Sequence, residues 1–156
     1  MTAIRPYRAS DADACWAVYV RAVRQGAARF YTLDQRMAWA PNDTRPPGHP
    51  DKLLDQWAWV AQDAGQITGF MSLCPDGYLD MAFVAPEVMG TGVAAALYDT
   101  LIGHAQAQGL TTLGTHASHL ARRFFARRGW QVVETQQHPV GDQTLERFAM
   151  SLTLAG

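Results

Sequence analysis

Leu79-Asp80-Met81-Ala82-Phe83-Val84-Ala85-Pro86-Glu87-Val88-Met89-Gly90-Thr91-Gly92-Val93-Ala94-Ala95-Ala96-Leu97-Tyr98 is the stretch that decides how this chain folds. A short apolar run ends at Pro86, whose missing backbone donor suits the end of a strand. Gly90 and Gly92 follow, and glycine both tolerates positive φ and lets a ligand approach the backbone. A helical pattern then begins at once. Val93, Ala94, Leu97, Tyr98, Leu101 and Ala105 fall on one face at 3.6-residue spacing, with Asp99, Gly103 and Gln106 opposite. Strand, glycine turn and helix N-terminus together form a receptor for an anion, because unpaired amides and the positive end of the helix dipole converge there.

Upstream of this centre the pattern predicts three antiparallel strands. Trp57 to Gln62 and Ile67 to Leu73 flank a hairpin turn at Asp63-Ala64-Gly65-Gln66, and Tyr78 to Val84 follows the turn Pro75-Asp76-Gly77. Before them come a strand over residues 2–8, a helix capped by Ser10 and stopped by Gly26, and a shorter helix capped by Thr32 or Asp34 and running to Trp39. Pro41, Pro46, Pro47 and Pro50 exclude regular structure from the link that follows. Lys52 to Trp57 reads as one further helical turn. Downstream, Gly109 ends the long helix and Thr111 to Thr115 is a strand. Ser118 caps a helix with Leu120, Ala121, Phe124 and Phe125 on its apolar side, and Trp130 to Gln137 is a strand. Residues 138–142 read as a loop, and Leu145 to Leu154 is the last strand. The order β, α, α, β, β, β, α, β, α, β, β predicts an α/β single domain over residues 1–156, a mixed, mostly antiparallel sheet with helices on both faces.

The bulk numbers bound the function. The 156 residues suffice for one core, 48% are hydrophobic and 17% charged, and the formal net charge is -1, which gives no general case for nucleic acid. The two cysteines, Cys15 and Cys74, form neither a disulfide framework nor a metal pattern, so no metal is expected. No apolar run is long enough for a signal peptide or a membrane span, so the expected setting is soluble and cytoplasmic, with no membrane partner.

Three blocks in this order resemble the GNAT family of N-acetyltransferases over essentially the whole chain. They are Ile4-Arg5-Pro6 with Asp11-Ala12, Val84-Ala85-Pro86 through Gly90-Thr91-Gly92-Val93-Ala94, and Phe124-Phe125-Ala126-Arg127-Arg128-Gly129-Trp130 after the strand that ends at Thr115. The ending Arg147-Phe148-Ala149-Met150 is similar to a branch of bacterial small-molecule acetyltransferases. The resemblance implies transfer of an acetyl group from acetyl-CoA to a primary amine of a small molecule by direct attack on the thioester. It also brings the homodimer, common in that family, as an expected assembly. Two positions depart from the pattern. Met89 stands where Gln or Arg opens the family's loop, and Phe125 where many members carry Tyr.

The resemblance assigns roles residue by residue. Gly90, Thr91, Gly92, Val93 and Ala94 circle the pyrophosphate with their amides, Thr91 adds its hydroxyl, and Met89 belongs to the same loop. The strand edge over Met81, Ala82, Phe83 and Val84 pairs with the pantetheine arm, and an amide near Phe83 or Val84 is the oxyanion donor. Ser118 either hydrogen-bonds that arm or only caps its helix, and Phe125 lies along the cofactor. Asp80 shares a face with Ala82 and Val84 on a regular strand, which makes it a candidate base; binding a substrate ammonium or pairing with an Arg are its other readings. His116 is the second catalytic candidate, since an imidazole is poised near neutral pH. Phe125 has no hydroxyl to protonate the leaving thiolate. Tyr98, Tyr78 and Tyr31 remain, Tyr98 at a core spacing, and solvent protonation is tolerable for an acidic thiol.

Two rivals come from other classes. Gly90 to Ala95 nearly fits a dinucleotide fingerprint, but the acid expected about twenty residues on is missing. A catalytically silent acyl-CoA-binding protein of the same fold is the alternative that Met89 and Phe125 sustain.

Overall fold

A computed structural model describes residues 1–154. The elements are β1 (Ala3–Pro6), α1 (Ala12–Arg21), α2 (Leu33–Trp39), β2 (Trp57–Asp63), β3 (Gln66–Leu73), β4 (Tyr78–Val84), α3 (Val93–Ala107), β5 (Thr112–Ala117), α4 (His119–Ala126), β6 (Gln131–Val140) and β7 (Gln143–Thr153). Their order is the expected one. Seven strands form a single sheet in the order β1-β2-β3-β4-β5-β7-β6. Every neighbouring pair is antiparallel except β4 and β5.

Each helix sits where its apolar stripe finds a sheet face. Val93, Leu97, Tyr98, Leu101 and Ala105 of α3 are buried, the face predicted from spacing. They join Met71, Leu79, Leu113, Phe125, Phe148 and Met150 in the main core. On the opposite face Cys15 and Val18 of α1 pack on Val60 and Phe70, with Met81 and Phe83 against them. Leu145 of β7 packs there too, under Ala27 and Tyr31, with Trp39 of α2 beside it. Burying one such side chain stabilises the fold by about 1.5–3 kcal/mol, so the two-sided cover suffices to hold the sheet.

Several local readings shift by a turn. The first helix runs on through residues 22–26 as a wider π-type turn and ends at Gly26, the stop expected from the sequence. Thr32 caps α2, its hydroxyl accepting from Gln35 N while the Gln35 side chain accepts from Thr32 N at 2.9 Å. The expected turn after the proline-rich link is a short 3-10 turn at Lys52–Asp55. The expected loop at 138–142 narrows to Gly141 and Asp142, because His138, Pro139 and Val140 pair with Leu145, Thr144 and Gln143.

Candidate active site

The site begins where the sheet comes apart. β4 and β5 pair only at Tyr78–Gly114 and Leu79–Thr115. Thr115 Oγ1 donates to Leu79 O at 2.8 Å and closes the base of the split. Beyond it β5 stays with β7 through Ala117, while β4 stays with β3 through Val84. Both facing edges are left without a strand partner over that distance.

The register of β4 decides what its free edge offers. Met81 N donates to Ser72 Oγ at 3.1 Å and Ala85 N donates to Thr68 O at 2.7 Å, both toward β3. Strand alternation then turns the Phe83 amide to β3 as well, and presents the amides and carbonyls of Ala82 and Val84 to the split. Of the two expected oxyanion donors, Val84 has a free amide and Phe83 does not.

Asp80 departs from its expected face. Leu73 faces Leu79 and Ser72 faces Met81, so Asp80 is the extra residue of a β-bulge. The bulge resets the alternation. Leu79, Ala82 and Val84 pack toward α3 and Met81 and Phe83 toward α1, and Asp80 borders the larger cavity with Met81 and Phe83 rather than sharing a face with Ala82 and Val84. Its Oδ2 accepts from Gln56 Nε2 at 2.9 Å and lies 3.1 Å from Lys52 Nζ. A lysine thus takes the place of the arginine partner anticipated for it.

Beyond β4 the chain turns at Pro86–Val88 and enters the glycine loop. Gly90 and Gly92 adopt φ of 78° and 94°, left-handed values that other residues reach only with strain. Nothing lies within 4 Å of the position a Cβ would take at either glycine, so the loop is open above both. The amides of Gly90, Gly92, Val93 and Ala94 have no backbone partner among the described residues, and Ala96 is the first to bond back, to Gly92 O at 3.0 Å. Thr91 differs from the expectation. Its amide donates to Val88 O at 3.1 Å and its hydroxyl donates to the same carbonyl, so Thr91 fixes the loop rather than facing a ligand.

Met89 is folded inward. A Cβ on Gly26 would come within 2.3 Å of its terminal methyl, and Leu120 lies alongside. The glycine that reads as a helix stop is the space Met89 occupies. Ser118 caps α4, its Oγ accepting from Ala121 N at 3.2 Å, which leaves the hydroxyl proton available. Phe125 is 1% exposed and packed on Trp130, with ring centroids 5.0 Å apart.

Two cavities open on the split. The smaller, about 200 Å³, is apolar and is bounded by Val84, Met89, Gly90, Ala94, Phe124 and Phe125. The larger, about 510 Å³, is bounded by Tyr78, Asp80, His116 and Arg147 on the sheet, and by Tyr19, Trp39 and the 45–53 segment above. Trp39, Phe83 and Ser118 line both, so the cavities meet at the free edge of β4.

His116 Nδ1 is 2.8 Å from the Tyr78 hydroxyl at the floor of the larger cavity. Burial, Arg147 and His138 push its pKa below the ordinary 6.5, so the ring is neutral at pH 7. Burial and the Asp80 charge push the Tyr78 phenol up, keeping it protonated. The other tyrosines are spoken for. Tyr98 accepts from Trp130 Nε1 at 2.8 Å in the core, and Tyr31 donates to Glu146 O at 2.6 Å while accepting from His119 N at 3.1 Å. Arg147 and the Lys52–Gln56 clamp on Asp80 were not signalled by the sequence, since only the β7 register and the 3-10 turn carry them to the cavity.

The parallel pair β4 and β5 thus separates beside a glycine loop with open amides, and a cavity opens on either side. The profile of the GNAT acetyltransferase domain matches residues 53–153. The chain is 37% identical to the N-acetyltransferase YafP of Escherichia coli strain K12 over 134 residues, covering 86% of this chain and 84% of that protein. It also matches the crystal structure of a GCN5-related N-acetyltransferase from Rhodopseudomonas palustris, with a TM-score of 0.89, 31% identity and coverage of 99% and 96% of the two chains. The fold is shared with YncA of Salmonella typhimurium, solved with acetyl-CoA, at a TM-score of 0.71, 22% identity and coverage of 100% and 95%. The chain belongs to the GNAT acetyltransferase family. Among the described residues no helix is long and apolar enough to cross a membrane.

Proposed function

We propose that the protein is an acetyl-CoA-dependent N-acetyltransferase that acetylates a primary amine of a small molecule. The observation that carries this reading is the junction of the two cavities at the unpaired edge of β4. In this reading the pyrophosphate rests on the amides of Gly90, Gly92, Val93 and Ala94. The pantetheine arm takes the strand position vacated by β5, bonding to Ala82 and Val84 with help from the Ser118 hydroxyl. The Val84 amide polarises the thioester carbonyl, a contribution that strengthens as negative charge develops on that oxygen.

The amine enters from the larger cavity. With His116 Nδ1–H donated to the Tyr78 oxygen, Nε2 keeps a lone pair for the proton the amine must lose. Nitrogen then bonds to the acetyl carbon, the carbon–sulfur bond breaks, and the thiolate takes a proton from solvent, since Phe125 has none to give. Asp80, held by Lys52 and Gln56, attracts the incoming ammonium. No covalent intermediate is invoked. Cys15 borders the larger cavity, but burial pushes its thiol up to about 12, far from a thiolate at pH 7.

Calorimetric titration with acetyl-CoA, NADH serving as control, tests the cofactor, and CoA release with an amine panel tests the transfer. Saturable acetyl-CoA binding with CoA release supports the proposal. Binding without release favours the silent acyl-CoA-binding alternative, to which Phe125 and the inward fold of Met89 point. Absence of acetyl-CoA binding refutes both.

A further inference from the structure

We propose that the acceptor amine carries a carboxylate and that the Arg147 guanidinium receives it. This deepens the acetyl-transfer reading of the same cavity and rests on it. The cavity's other cations already hold an acid. Arg45 Nε lies 3.1 Å from Asp13 Oδ1, and Lys52 Nζ lies 3.1 Å from Asp80 Oδ2. Its acids are also engaged, Asp51 accepting from the Tyr7 hydroxyl at 2.7 Å and Glu146 facing His119 Nε2 at 2.9 Å. Arg147 has no carboxylate partner among the described residues. Its Nε donates to Gln136 Oε1 at 2.9 Å, which fixes the plane of the group and leaves both terminal nitrogens without a protein acceptor. A guanidinium held from behind, bordering a cavity, is built to take a carboxylate with two parallel hydrogen bonds.

Charge is divided across the cavity. Arg147 on β7 borders the cavity with His116 on β5 and His138 on β6; burial lowers the pKa of both imidazoles, and the Arg147 charge lowers them further. Asp51, Lys52 and Asp80 stand on the β4 side together with Arg45, whose charge Asp13 offsets, which leaves one more acid than base there. A zwitterion suits this arrangement, its carboxylate toward β7 and its ammonium toward β4. A polyamine or aminoglycoside would set a bare positive charge against Arg147. The walls between are aromatic: Tyr7, Trp16, Tyr19, Trp39, Phe70 and Phe83. The class that fits is a free α-amino acid with a large apolar or aromatic side chain.

Phenylalanine and phenylalaninamide, which differ in the negative charge, are the probes. Each is titrated calorimetrically into the full chain with and without CoA, and each is offered with acetyl-CoA in the CoA-release assay. Phenylalanine is expected to bind at least about tenfold more tightly, the usual reach of a charge-assisted bond. Arg147→Gln should remove that preference by weakening phenylalanine alone, with Arg147→Lys restoring part of it, and in turnover the loss should appear in KM more than in kcat. Equal affinities, a preference for the amide, or no binding of either overturns the inference without reference to any variant's folding. Release of CoA with the amide but not the acid overturns it while leaving acetyl transfer standing. Binding of phenylalanine without CoA release from any amine supports the carboxylate site and overturns the transferase reading.

Discussion

Gly92 meets two demands at one position. Its φ of 94° is open to glycine at little cost, and the space above it is empty where a pyrophosphate would descend. Gly92→Val should abolish acetyl-CoA binding in calorimetry while thermal unfolding shows about 1–3 kcal/mol of destabilisation, the usual cost of such backbone strain. Retained affinity in a folded Gly92→Val protein would remove the loop from the cofactor site. His116 makes the complementary prediction. His116→Ala should lower kcat about a hundredfold, within the usual range for a general base, and leave acetyl-CoA affinity unchanged. Burial, then Arg147 and His138, depress the His116 pKa, and Glu134 raises it. Removing the cation in Arg147→Ala should therefore move the His116 titration, followed by NMR, to higher pH. A wild-type ring that titrates above 6.5, or an unmoved ring in the variant, would contradict this placement. Asp80→Asn separates the two carriers. With the proton on His116, Asp80→Asn should raise the KM of the amine and keep the wild-type pH–rate profile; loss of the acidic limb would return the base role to Asp80.

At the scale of elements, the N-terminal motif has a mechanical meaning. Arg5 on β1 reaches Asp11 with both terminal nitrogens, at 2.8 and 2.9 Å, and Arg8 N donates to the same carboxylate at 2.8 Å. Asp11 is 5% exposed, so this clamp joins the edge strand to the start of α1 in a nearly dry setting. Its hydrogen bond from Arg5, ahead of the opposing effect of burial, holds the carboxyl below the usual carboxylate range. The stabilisation is complete above the ordinary carboxylate pKa and is lost as pH falls through the lowered one. Asp11→Asn should cost about 3 kcal/mol in urea unfolding at pH 7, the scale for breaking a buried pair, and the gap from wild type should close as pH falls below the ordinary carboxylate range. A gap independent of pH would mean the clamp is not ionic. These examples mark what was legible from sequence. Helix α3 and its buried face could be read because a 3.6-residue period is local, and the loop because its glycines are adjacent. The bulge at Asp80 could not, since it arises from pairing with Ser72 and Leu73, and one extra residue reverses the face of everything before it. The engagement of Thr91 is hidden for a related reason, its hydroxyl and amide both donating to a carbonyl three residues away. Met89 and Gly26 lie far apart in the chain, and nothing local to either announces their contact.

For the whole molecule, the consequence lies in the order of chemical events. The sheet holds its two cavities on either side of one unpaired strand edge, with Trp39, Phe83 and Ser118 common to both. On the function proposed, cofactor and acceptor would occupy them together, which would bring the reacting nitrogen to the acetyl carbon without a carrier on the protein. The one thiol bordering the larger cavity, Cys15, is 2% exposed and held protonated by burial. Initial rates at varied acetyl-CoA and amine should therefore give intersecting double-reciprocal lines, the pattern of a ternary complex. Cys15→Ala should retain most of kcat, losing only what a small packing defect against Val18 and Phe70 costs in stability. Parallel lines, or a covalently acetylated protein trapped by mass spectrometry and absent from Cys15→Ala, would show instead that the acetyl group passes through the protein. In that case the junction of the cavities would serve two successive half-reactions in place of a single encounter.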